Sequence, residues 1–112
     1  MHIYSGNDDQ VLPVLSLGGI GVISVLSNIM PEYTHNMVQN FLDGNVNTAT
    51  QMQLDAIPLV KALFSEVNPI PVKAALNILG YNYGVPRLPL TQMSKEKEKI
   101  LKNELKKYNK LW

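Results

Sequence analysis

Between Ile3 and Leu26 the chain reads strand, tight turn, helix, glycine turn, strand, and this order limits the fold more than any other stretch. His2-Ile3-Tyr4-Ser5 is a short strand that ends at Gly6. Asn7, Asp8 and Asp9 supply a cap and first-turn carboxylates for a helix, where the macrodipole favours negative charge. Val11, Leu12, Leu15 and Ser16 give that helix a packing face, Pro13 falls near its first turns, and Gly18-Gly19 ends it. Val22-Ile23-Ser24-Val25-Leu26 is then a short β-branched run of the kind buried on both faces of a sheet. Two strands joined through a helix make a parallel crossover, which needs neighbouring strands and helical cover on both faces. Only helices come after it. An open pair would leave backbone groups unpaired at its edges, and a closed barrel removes those edges. The expected fold class is therefore α/β: the last two βα units of a (β/α)8 TIM barrel, with the missing strands supplied by a longer parent, a separate chain or a symmetry mate.

The rest of the chain predicts helices. Pro31 suits a first helical position, Met37/Phe41 and Val38/Leu42 pair one turn apart, and Asp43-Gly44 closes that helix. A longer helix is expected from about Asn47 to Phe64, with Ala49, Met52, Ala56, Val60 and Leu63 as its apolar stripe and a kink or break near Leu54 caused by Pro58. Val72, Ala75, Leu76 and Leu79 mark a short amphipathic helix ended by Gly80. Residues 81–93, with Gly84, Pro86 and Pro89, are expected to be irregular. Ser94 caps a final helix whose Leu101, Leu105, Tyr108 and Trp112 share one side, and Glu98/Lys102 is spaced for an ion pair. The expected division is 1–44 for the two βα units and 45–112 for a three-helix carboxyl-terminal extension.

Composition closes several functional classes. With 112 residues, 46% of them apolar, the chain can build one modest core. The formal charge of +1 gives no general attraction to nucleic acid or anionic membrane. It hides an asymmetry: residues 91–112 hold seven Lys and three Glu, while residues 1–90 hold three basic and six acidic groups. The Lys-rich end reads as a solvated helix face, because a nucleic-acid arm would favour Arg and interleaved aromatics. Without cysteine there are no disulfides, zinc-thiolate sites or thiol nucleophiles, which fits a cytoplasmic setting. The start has no signal-peptide pattern, and no apolar run is long enough to span a bilayer.

In barrels of this type chemistry sits at the carboxyl ends of the strands, here Ser5-Gly6-Asn7 and Ser24-Val25-Leu26. Gly6 either lets a ligand approach the main chain or simply permits a tight turn. Ile23 either walls a small-molecule pocket or packs inside the barrel. Asp8 and Asp9 are expected to cap their own helix rather than form an acid/base or metal pair. His2 and His35 lack ligand spacing, so no metal site is expected, and no cofactor is indicated. Ser5 and Ser24 have no base nearby in sequence. Gly18-Gly19-Ile20-Gly21 precedes a strand, whereas phosphate-binding glycines lie between strand and helix. Lys61 and Lys73 lie on helices away from the strand ends, which makes both poor Schiff-base candidates.

Tyr4-Ser5-Gly6-Asn7-Asp8, Gly21-Val22-Ile23-Ser24-Val25, Asn68-Pro69-Ile70-Pro71-Val72-Lys73 and Arg87-Leu88-Pro89-Leu90 together resemble the carboxyl-terminal part of the dihydrodipicolinate synthase (4-hydroxy-tetrahydrodipicolinate synthase) family. The resemblance covers essentially the whole chain and favours this family over N-acetylneuraminate lyases. It implies a pyruvate-dependent class I aldolase-type lyase, usually a homotetramer, that condenses pyruvate with aspartate semialdehyde on the way to diaminopimelate and lysine. It also implies that the Schiff-base lysine, the proton-relaying tyrosines, the semialdehyde-binding arginine and any lysine-feedback residues lie upstream of Met1. Two pocket residues carry over: Gly6, whose backbone would line the substrate site, and Ile23, which would contact bound pyruvate. Asn7 departs from the acidic residue more common at its position.

On this basis the isolated segment is expected to be inactive, and to associate with a complementary barrel half or as a homo-oligomer. Two alternatives stand beside it: a related aldolase acting on a sugar-derived 2-oxo acid, and a non-catalytic, self-associating barrel fragment.

Overall fold

The computed structural model describes residues 1–108. Its order is β1 (Tyr4–Ser5), α1 (Val11–Ser16), β2 (Gly21–Val22), α2 (Pro31–Leu42), α3 (Val46–Leu63), α4 (Ile70–Ile78) and α5 (Lys95–Lys106). Two compact units divide between Ile57 and Pro58, inside α3.

In the first unit β1 and β2 pair in parallel, with Tyr4 opposite Gly21 and Ser5 opposite Val22. The Ile20 N–H donates to the Ile3 carbonyl at 2.9 Å, and the Ile23 N–H to the Ser5 carbonyl at 2.8 Å. β2 is much shorter than the β-branched run 22–26 suggests. A strand persists only where a neighbour supplies hydrogen bonds, and β1 offers none beyond Ser5. Past Ile23 the chain instead enters a 3₁₀ turn at Leu26–Asn28.

Val11, Leu12 and Leu15 of α1 are buried, as is Leu26. Ser16 is not part of that face: it is exposed, and its hydroxyl turns back to donate to the Pro13 carbonyl. Gly18 ends the helix with φ of +96°, a conformation that costs glycine little. Gly19 is required for space, since a Cβ there would lie 2.6 Å from Val14 Cγ1. Pro31 opens α2, and Asp43 with Gly44 closes it as expected. Met37 on α2 and Ala49 and Ala56 on α3 are buried, with Met52 half-buried beside them.

The break expected near Leu54 is absent, and α3 runs on through Pro58. Pro58 and Leu54 are both exposed, so the carbonyl deprived of its usual N–H lies on the solvent side, where its loss costs least.

In the second unit Leu59, Val60, Ala62 and Leu63 are buried, with Ile70, Val72 and Ala75 of α4 and Leu101 and Leu105 of α5. α4 packs against α5. The α5 cap is Ser94, whose Oγ accepts from the Lys97 N–H at 3.4 Å. Glu66 accepts from the Ser94 N–H at 3.0 Å, and the Lys97 ammonium donates to the Ser65 carbonyl at 2.9 Å. Among the described residues the ion pair here joins Glu104 to Lys107, just past the end of α5, at 3.0 Å, and Glu98–Lys102 does not form. Tyr108 is half-buried; Trp112, expected on the same face, lies outside the described residues. Asn68–Pro69 and Leu88–Pro89 are cis. Among the described residues no helix is long and apolar enough to cross a membrane.

Candidate active-site loops at the strand ends

The carboxyl ends of β1 and β2 lead into two adjacent loops. The first begins with a local turn: Ser5 Oγ donates to the Asn7 carbonyl at 2.8 Å and accepts from the Asn7 N–H at 3.2 Å. Gly6, inside that turn, is exposed. It has no positive φ, and a Cβ added to it would meet nothing within 4 Å. A tight turn alone therefore does not require glycine here.

The second loop begins at Ile23, 71% exposed in this chain. Ile3 at 51% and Tyr4 at 52% are also open. Apolar residues this accessible beside a parallel pair are unusual for a finished sheet. The four-residue glycine segment is structural: Gly18 and Gly19 form the turn, and a Cβ on Gly21 would press the Tyr4 ring at 3.1 Å.

Asp8 departs from the expected role as a cap of its own helix. It is 2% exposed. Its carboxylate accepts the Ser24 hydroxyl, the Val25 N–H at 2.9 Å and the Leu26 N–H at 3.0 Å. These amides open the 3₁₀ turn of the second loop, so Asp8 caps the neighbouring loop across the strand pair. Ser24 thus does have a carboxylate beside it. Two backbone amides already occupy that carboxylate, which makes it a fastener rather than a base for activating the hydroxyl. Asp9, by contrast, is exposed in the first turn after β1.

Sequence reasoning missed Gln53. It is a buried polar residue of α3 whose Nε2 donates to the Asp8 carbonyl at 2.9 Å and whose Oε1 accepts the Leu12 N–H at 3.1 Å. Its only sequence signal is a polar residue flanking the apolar stripe at Met52 and Ala56. His2 and His35 are both exposed, and among the described residues no three His, Cys, Asp or Glu gather as a metal site. Lys61 is exposed on α3. Lys73 is half-buried on α4 and lines an open cleft of about 320 Å³ with Asn77, Gln92 and Glu98.

The sequence model of the Dihydrodipicolinate synthetase family matches residues 1–108. The chain belongs to this family. It is 60% identical over 108 residues to the 4-hydroxy-tetrahydrodipicolinate synthase of Caldicellulosiruptor saccharolyticus, covering 96% of this chain and 37% of that protein. Identity to the Acetivibrio thermocellus protein of the same name is 57% over 106 residues, covering 95% of this chain and 36% of the relative. The crystal structure of dihydrodipicolinate synthase from Thermotoga maritima superposes with a TM-score of 0.95 at 42% identity, over 98% of this chain and 37% of the other. The chain thus spans little more than a third of the length of these family members.

Proposed function

We propose that this chain is the closing part of a (β/α)8 barrel in a dihydrodipicolinate synthase. Residues 1–44 form its last two βα units and residues 45–112 its three-helix extension. The complete enzyme condenses pyruvate with aspartate semialdehyde by Schiff-base, class I aldolase-type chemistry. Gly6 lines the substrate site with its backbone, and Ile23 contacts bound pyruvate. The Schiff-base lysine comes from upstream sequence, so the segment alone is inactive.

The observation that carries this proposal is the parallel pair itself. Two strands of two residues each, with Ile3, Tyr4 and Ile23 open beside them, bury too little to stand as a sheet. Gly6 adds to it. Neither backbone conformation nor crowding within the chain demands a glycine, which leaves its main chain open to close approach by a ligand. The names of the relatives favour this substrate pair over a sugar-derived 2-oxo acid.

The test is a graft in which this chain replaces the matching part of the Caldicellulosiruptor saccharolyticus enzyme. The graft is expected to condense pyruvate with aspartate semialdehyde, whereas the isolated chain is expected to give no borohydride-trapped pyruvate adduct. A folded but inactive graft, or an adduct on the isolated chain, would overturn the proposal.

A further inference from the structure

We infer that Asp8 is the positioning residue that sets the spacing between the two substrate loops, an inference that rests on the proposed function of Gly6 and Ile23. The strand ladder ends where the Ile23 N–H meets the Ser5 carbonyl at 2.8 Å. Beyond it the loops are joined by the Asp8 carboxylate, two residues after Gly6, gripping Ser24, Val25 and Leu26, which directly follow Ile23. Hydrogen bonds to a carboxylate are shorter and stronger than neutral ones, and a buried carboxylate without them would be costly. The carboxylate therefore has one stable place, and the backbone just after Ile23 is fixed to it. Gln53 holds Asp8 from behind through the Asp8 carbonyl at 2.9 Å, and is itself tied to the start of α1 through the Leu12 N–H at 3.1 Å. Ser24 completes the clasp by accepting the Ser27 N–H at 2.9 Å while donating to Asp8. An asparagine keeps much of this, because both backbone amides are accepted by the one oxygen, Oδ2, that its carbonyl can replace, and its amide can donate to the second lone pair of Ser24 Oγ. An alanine removes all three bonds. The second loop would then move relative to the first and carry Ile23 with it. Asp8 touches no substrate; it acts through where it holds Ile23.

The test has two arms. In the grafted enzyme, Asp8→Ala is expected to raise the KM for pyruvate about tenfold while kcat stays within about threefold, the pattern of lost ground-state binding, and Asp8→Asn, which can keep both backbone bonds, is expected to raise it less. Ser24→Ala should move KM in the same direction by less, and the exposed control Asp9→Asn should leave it unchanged. In the 112-residue chain, amide exchange at Val25 and Leu26 should accelerate in Asp8→Ala and not in Asp9→Asn. An unchanged KM with an active graft, or activity lost only in step with the amount of folded enzyme, would overturn the inference and leave the proposed function standing. If the unsubstituted graft is folded but inactive, the proposed function fails, and this inference about substrate spacing falls with it. Unchanged exchange at Val25 and Leu26 in Asp8→Ala would remove the clasp itself, whatever the graft does.

Discussion

Gly6 and Gly19 are both glycines at turns, yet only Gly19 is crowded by its own chain. A Cβ on Gly19 would collide with the Val14 side chain at 2.6 Å and its carbonyl at 2.8 Å. Gly19→Ala is therefore expected to destabilise the chain by about 1–3 kcal/mol through overpacking, read by chemical unfolding. Gly6→Ala meets no obstacle and should leave stability within about 0.5 kcal/mol, while weakening pyruvate binding in the grafted enzyme. Equal stability losses at the two positions would remove the argument that Gly6 is kept for a ligand. Gln53→Leu should cost about 1–3 kcal/mol, because it orphans the Leu12 N–H and the Asp8 carbonyl at a buried position. Gly6 and Ile23 stand out in the sequence as residues at strand ends. Asp8 is visible there too, but its partners are not. A carboxylate at a helix start looks the same whether it caps its own turn or one sixteen to eighteen residues away.

Helices are more legible than strands, for a physical reason. A helix carries its hydrogen bonds within itself, so Pro31, Gly44, Gly80 and Ser94 mark ends that need no partner. Ser94→Ala is expected to loosen the start of α5 by about 0.5–1 kcal/mol. That is the low end of the capping range, in keeping with the long 3.4 Å bond to the Lys97 N–H, and amide exchange at Lys97 would read it. A strand borrows its bonds from a neighbour. The run from Val22 to Leu26 has the composition of a buried strand, but β2 keeps only Gly21–Val22. One short partner is present, and Asp8 captures the amides of Val25 and Leu26. Pro58 shows the reverse: a residue that ordinarily breaks helices is tolerated where its missing bond faces water and Leu59, Val60 and Leu63 are buried just beyond it.

At the scale of the molecule, the proposed function makes one claim about the two-stranded parallel sheet: further strands of a barrel complete it. Ile3, Tyr4, Ile20 and Ile23 are the residues a completed barrel would cover, and they lie open here. An exposed parallel edge with apolar side chains recruits other backbone. Light scattering on the isolated 112-residue chain tests this most directly. The account predicts self-associated species that give way to a defined assembly when the upstream part of a family member is supplied. A monodisperse monomer that unfolds cooperatively and ignores that upstream part would contradict it.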